Sequence, residues 1–254
     1  MSMNLCTDAL VLSLMPPERI ASVSYLSRAS SNSALSGLAR RVGVNYGTAE
    51  EVLAQKPDLV IAGASSTAAT RTLLQRIGAP LIEVPAATDF DQIRVVTRQV
   101  GKAVGERGRA EALIARMDAT LADLARTRPE RRIAVAGWDG SGAVPGEGTM
   151  FDAILTAAGG VNVAAGMHGD SAGSFDLEQL LSVHPDVLAY GDSSADQPSL
   201  RTIAAQHPIL RRLYAGRRVV YPELLYGCGI PQSAEAAVAL RRALLAATAP
   251  KATP

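Results

Sequence analysis

One stretch of this chain occurs twice. Residues 50–63, Glu-Glu-Val-Leu-Ala-Gln-Lys-Pro-Asp-Leu-Val-Ile-Ala-Gly, return as residues 178–191, Glu-Gln-Leu-Leu-Ser-Val-His-Pro-Asp-Val-Leu-Ala-Tyr-Gly, at a constant offset of 128. The leading acid, the apolar helix face, the Pro-Asp turn and the closing Gly all keep register. Each copy reads as the end of an amphipathic helix, a turn, and a short apolar run fit for a buried parallel strand. Half the chain separates the copies. That spacing predicts two similar α/β lobes, and a groove between lobes is a common seat for a ligand.

The rest of the chain restarts the same pattern on either side of one long helical stretch. Ahead of it, strands are expected at residues 19–24, 58–62 and 81–84. Helices are expected from Thr7 to Met15, where Pro16 and Pro17 stop the chain, from the Thr48 cap onward, and over 67–77. Residues 25–45 read as a Ser-rich surface loop with one helical turn. Beyond it, strands are expected at 132–138, 186–190 and 218–221. Helices there start at the caps Thr149, Asp176 and Ser233, with another over 200–214. Alternating strands and helices imply mainly parallel sheets.

Between the halves lie a helix over 89–104 and a second over 106–127. In the second, Ala110, Leu113, Ile114, Met117, Leu121 and Leu124 share a stripe. At about 1.5 Å per residue, 20 residues span roughly 30 Å, the width of a small lobe. The expected organisation is an N-terminal lobe over 1–105, a linking backbone helix over 106–128 that resists hinge bending, and a C-terminal lobe over 129–254.

Composition narrows the partners. A formal net charge of +1 gives no overall electrostatic case for nucleic acid or an anionic surface. No stretch reaches the roughly 18–20 apolar residues of a membrane span. The chain opens abruptly on Ser2-Met3-Asn4-Leu5, as expected where a secretory leader has been removed, although a cytoplasmic start fits the same residues. The two cysteines, Cys6 and Cys228, form no C-x-x-C motif. They follow the first and last strands, and in an oxidising compartment they are expected to bond. Two small buried thiols are the other reading.

Catalytic signals are sparse. There is no G-x-S-x-G elbow, no Walker loop and no dinucleotide fingerprint; Gly140-Ser141-Gly142 follows a strand but lacks the third glycine. The three histidines are His168, His184 and His207. His184 stands in the turn that Lys56 occupies in the other copy, a structural position. No catalytic residue and no metal ligand is assigned. What converges instead is a set of loop residues at predicted strand ends, where ligands of parallel sheets bind. These are Tyr25, Arg28, Tyr46, Ser65, Ser66, Trp138, Asp139, Asp192 and Tyr226. Aromatics make up only 4% of the chain, so four rings at such ends point to a flat or bulky apolar ligand with a few polar handles. The ligand-binding candidates are thus Tyr25, Arg28, Tyr46, Ser65, Trp138, Asp139, Glu147 and Tyr226.

With these residues the chain resembles the helical-backbone, class III periplasmic substrate-binding proteins that feed ABC importers of cobalamin, haem and ferric siderophores. The marks run in order: Asn4-Leu5-Cys6-Thr7-Asp8, Pro17-Glu18-Arg19-Ile20-Ala21-Ser22-Val23-Ser24-Tyr25, Ala49-Glu50-Glu51-Val52 through Val60, and Gly159-Gly160-Val161-Asn162-Val163. The chain departs from the vitamin B12 branch at Gly173-Ser174 and at Ala64, where that branch carries tryptophans. The resemblance implies a periplasmic monomer with two lobes joined by one long helix and a ligand held between them. It implies a permease dimer with ATPase subunits as partner, met through an acid on each lobe; those acids are Glu50 and Glu178. It implies no intrinsic cofactor and no enzymatic activity. The competing expectation is an enzyme or cofactor-insertion protein on the same fold, built on Glu147 with His168, or a ligand sensor without a transporter.

Overall fold

The structure is a computed structural model that describes residues 1–28, 36–63, 66, 68–138, 144–166, 177–192, 203 and 207–249. Two α/β lobes with parallel sheets are connected by long helices. The first compact unit comprises Met1–Arg116 and Gly227–Pro231; the second comprises Met117–Tyr226 and Gln232–Pro254. The helix expected over 106–127 runs Arg107–Arg126, so the chain passes from one unit to the other inside it. Ala110, Ile114, Met117 and Leu124 are its buried stripe.

In the first unit, β1 (Ser22–Ser24) pairs in parallel with β2 (Gly43–Asn45), and β3 (Val60–Gly63) pairs in parallel with β4 (Leu81–Val84). The first three residues fill the gap between these pairs. The Ser2 amide donates to the Ser22 carbonyl at 3.0 Å, the Met3 amide to Ile61 at 3.0 Å, and the Ile61 amide to Met1 at 2.9 Å. The order is therefore β2, β1, residues 1–3, β3, β4. Strand β3 is buried at every position, as an apolar run covered on both faces must be. Helix α1 (Leu5–Leu14) follows the first segment, α2 (Ser36–Ala39) precedes β2, α3 (Ala49–Gln55) precedes β3, α4 (Ala68–Arg76) lies between β3 and β4, and α5 (Phe90–Ala103) follows β4. Ile93, Val96 and Val100 form the buried face of α5.

The helix Arg107–Arg126, shared between the units, is α6; in the second unit four parallel strands run in the order β6 (Gly160–Asn162), β5 (Ile133–Gly137), β7 (Val187–Gly191), β8 (Arg218–Tyr221). Helices α7 (Met150–Ala158), α8 (Leu177–Ser182), α9 (Pro208–Leu213), α10 (Glu223–Gly227) and α11 (Ser233–Thr248) connect and close it. The repeat is thus structural: α3-turn-β3 in one lobe and α8-turn-β7 in the other occupy equivalent places. The turn residues agree in detail. Lys56 (φ 47°) and His184 (φ 45°), 128 positions apart, are the non-glycine residues with positive φ among those described. A non-glycine residue there costs roughly 1–2 kcal/mol. That both copies keep it reflects the need to reverse the chain in one residue ahead of the Pro-Asp pair.

Several boundaries differ from the sequence expectation. Helix α1 starts earlier, because Asn4 and not Thr7 is its cap: the Thr7 amide donates to Asn4 Oδ1 at 3.0 Å. Ser233 is the first residue of α11, and its hydroxyl donates to the Leu225 carbonyl. Pro17–Arg19 is a 3-10 turn, and the first strand begins only at Ser22 but ends at Ser24 as expected; Tyr25–Arg28, expected as loop, is a second 3-10 turn. Strands β2 and β6 were not expected. Both read Gly-Val-Asn, and in both the asparagine is buried and accepts from the amide two residues on: Gly47 to Asn45 at 3.1 Å, Ala164 to Asn162 at 3.0 Å. A three-residue strand ended by such an Asx turn carries no alternation to read. The cap expected at Asp176 lies outside the described residues.

Candidate functional site

The carboxyl ends of the first lobe's strands gather one group of residues. Asn4 ends the first segment, Tyr25 follows β1, Tyr46 follows β2, Ser66 lies three residues past β3, and Pro85 follows β4. Because Ser24 and Asn45 are partners in register, the next residue on each strand is a neighbour of the other. Tyr25 and Tyr46 consequently stack, with ring centroids 5.2 Å apart and planes 24° from parallel. The pair remains 49% and 68% exposed, so it is a platform and not core. Its backbone is fixed locally. The Tyr46 amide donates to both Glu51 carboxylate oxygens, at 3.0 and 2.9 Å, and Glu51 also completes the capping box with Thr48 at the start of α3.

Beneath Tyr25 lies a residue that the sequence reading did not single out. Asp8, on α1, is fully buried. Its Oδ2 accepts from the Ser24 amide at 3.0 Å, the Ser24 hydroxyl at 2.5 Å and the Ser27 hydroxyl at 2.6 Å, while Oδ1 has no partner among the described residues. Burial pushes its carboxyl up to about 6, against the pull of the Ser2, Ser24 and Ser27 hydroxyls. The carboxylate therefore clamps the turn that presents Tyr25. A signal was available: α1 reads Leu-Cys-Thr-Asp-Ala-Leu-Val-Leu-Ser-Leu, and an acid in a helix apolar nearly all round must be buried.

Arg28 is half-buried at the end of the same turn. One terminal nitrogen donates to the Val42 carbonyl, and Nε is buried without an acceptor among the described residues. Ser66 accepts from the Gly63 amide at 3.3 Å and from Asn4 Nδ2 at 3.4 Å. Cys6, on α1, is disulfide-bonded to Cys228, with Cα atoms 5.0 Å apart. Both ends of the bond belong to the first unit, because the segment Gly227–Pro231 is part of it. A small cavity beside the disulfide is lined by Asn4, Leu10, Gly63, Val84 and Ala87. Ser65 lies outside the described residues.

In the second lobe the candidate rings sit differently. Trp138 directly follows β5 but is only 4% exposed, packed among Leu180, Leu188, Tyr190 and Leu210, with its indole N–H unpaired among the described residues. Tyr226, expected in a loop, is on α10 and 6% exposed; its ring centroid lies 4.4 Å from Tyr221 and 5.9 Å from Phe151. Burial raises its phenol well above the usual range. Both rings are buried by residues of helices and strands that lie away from them in the chain: Leu180, Leu188, Tyr190 and Leu210 around Trp138, and Phe151 beside Tyr226. Asp192 accepts from the Glu223 amide at 3.0 Å and so caps α10. Glu147 is exposed. Asp139, Gly140, Ser141, Gly142, His168, Gly173 and Ser174 lie outside the described residues, as does Ala64. No cluster of three His, Cys, Asp or Glu side chains is placed to hold a metal ion among the described residues.

Glu50 and Glu178 are both exposed in the first turns of α3 and α8. The N-terminal capping of α3 uses Glu51, so Glu50 is left to face solvent. No described helix is long and apolar enough to cross a membrane.

Comparison with known proteins places this architecture. A family model described as periplasmic binding protein matches residues 18–218. A cobalamin-binding protein of Halobacterium salinarum is 32% identical over 149 residues, 57% of this chain. The match spans 40% of the length of that relative. A periplasmic haem-binding protein from Roseiflexus sp. RS-1 superposes with a TM-score of 0.79 at 22% identity, over 97% of each chain. One from Pseudomonas aeruginosa superposes at 0.75 with 21% identity, over 99% of this chain and 94% of that one. At such identities these two structures speak for the fold. The family model, covering well over half of the 254 residues, carries the assignment: this chain belongs to the periplasmic binding protein family, as a two-lobed, helical-backbone solute-binding protein.

Proposed function

We propose that the chain is the solute-binding component of an ABC importer, a periplasmic monomer. Its ligand is a metal chelate on a flat macrocycle, of the corrinoid or haem class, with ferric siderophores as the third possibility. The observation that carries this is the exposed, stacked Tyr25–Tyr46 pair at the ends of adjacent parallel strands. The near-parallel stack leaves outer ring faces and edges exposed to a planar ligand, and a well-placed aromatic contact is worth about 0.5–1.5 kcal/mol beyond burial. The names of the relatives, cobalamin-binding and haem-binding, support the same ligand class. Arg28 and Ser66 supply polar groups near the platform, and Ser65 and Asp139 are proposed with them. Trp138 and Tyr226 support the second lobe's strand ends from beneath, with Glu147 as its exposed acid.

Delivery requires a permease with its ATPase subunits. Glu50 and Glu178 are the proposed docking acids. Each is exposed at the start of a repeat helix, one in each lobe, and a twofold permease would offer each of them an equivalent contact.

The test is titration of the purified protein with cyanocobalamin, haemin and a ferric catecholate, followed by absorbance. One of the three is expected to bind. Tyr46→Ala is expected to weaken it about tenfold, ~1.4 kcal/mol, without lowering Tm. If none binds, or if a Tyr25→Ala/Tyr46→Ala double variant binds with unchanged Kd, the platform is not the ligand site.

A further inference from the structure

The amino edge of the second lobe's sheet carries a concentration of positive charge that the balanced composition hides. Two arginine-dense segments, Arg126-Thr-Arg-Pro-Glu-Arg-Arg132 and Arg211-Arg-Leu-Tyr-Ala-Gly-Arg-Arg218, lie far apart in the chain. The strand order brings them together, since β5 and β8 flank β7. Asp186, just ahead of β7, is the meeting point. Its Oδ1 accepts from Arg131 at 2.9 Å, and its carbonyl accepts from Arg217 at 3.5 Å. Arg217 also donates to the Leu213 carbonyl at the end of α9 and lies over the Tyr214 ring, 5.1 Å from the centroid. Arg131, Arg132, Arg211, Arg212 and Arg217 are all exposed, and Glu130 and Asp186 are the acids among them.

Apolar groups are interleaved with this charge. Ile209 and Leu213, one helical turn apart on α9, are 45% and 49% exposed. Arginine beside half-exposed Ile and Leu is the chemistry of a surface that rests on anionic headgroups, with its aliphatic side chains in the interfacial layer.

We propose that this edge is a binding surface for an anionic phospholipid bilayer. It holds the protein at the membrane by the sheet edge opposite the strand ends that bear Trp138 and Asp192, and it does not depend on the ligand reading. Guanidinium groups make bidentate contacts with phosphate, which favours arginine over lysine here.

Cosedimentation of the full chain with vesicles tests it. Binding is expected to vesicles of equal phosphatidylglycerol and phosphatidylcholine at low salt, to weaken strongly at high salt, and to be absent with phosphatidylcholine alone. Arg211→Glu/Arg212→Glu is expected to lower the partition coefficient at least tenfold, and Leu213→Ser severalfold, with Tm unchanged. Arg211→Lys/Arg212→Lys, which cannot fail through charge, is expected to retain most of the binding. Absent binding to the anionic vesicles overturns the proposal, including the case in which the edge retains an acidic protein instead. So does equal binding to phosphatidylcholine, or undiminished binding by the folded Glu variant.

Discussion

Asp8 makes the fold's stability depend on pH in an unusual direction. A buried carboxyl whose folded value is raised to about 6, from the ordinary aspartate value of 3.8, takes up its proton more readily folded than unfolded. Between those values the native state holds more protons than the unfolded one, so stability falls as pH rises from 4 to 6 and is level above. The full span of about 2 pH units corresponds to roughly 3 kcal/mol, of which about 2 kcal/mol falls between pH 4.5 and 7.5. Asp8→Asn keeps an acceptor for the Ser24 amide and the two hydroxyls but carries no charge. The variant is therefore expected to gain about 2 kcal/mol on wild type as pH goes from 4.5 to 7.5, because wild type alone loses that amount. Urea denaturation followed by circular dichroism, with the disulfide kept oxidised, reads the difference. A 13C titration of the Asp8 carboxyl gives its midpoint directly. Parallel pH profiles for the two proteins, or a carboxyl titrating near 4, would refute the burial argument. Because the clamp sets the Tyr25 turn, the variant's ligand affinity reports separately on positioning.

Reduction of the Cys6–Cys228 bond, or Cys6→Ser/Cys228→Ser, is expected to lower stability substantially, since the bond spans 222 residues. The chain-entropy model gives about 5 kcal/mol for so long a loop; an unchanged urea midpoint with and without dithiothreitol contradicts it. Glu50→Ala/Glu178→Ala is expected to leave ligand affinity within about twofold, ~0.4 kcal/mol. The same variant is expected to reduce ligand-stimulated ATP hydrolysis by the reconstituted importer sharply. Normal stimulation by the variant rules out these acids as the docking pair.

The repeat, the βα alternation and most element boundaries were legible in the sequence because they rest on local causes. Thr48 and Thr149 cap their helices as read, and β4 and β8 keep the expected bounds. Hydrophobic period, proline and capping chemistry act over a few residues, so a single sequence contains them. What the sequence could not decide was which residues share a register or lose their exposure. Tyr25 and Tyr46 became a stacked pair only because Ser24 faces Asn45 across β1 and β2. Trp138 and Tyr226 read like the same kind of residue, yet Leu180, Leu210, Phe151 and Tyr221 cover them. Asp8 and the paired arginine segments follow the same logic. A carboxyl is shifted by the desolvation that surrounding elements impose, and a charged surface is made by strands distant in sequence. Both are properties of packing between elements, which no local pattern encodes.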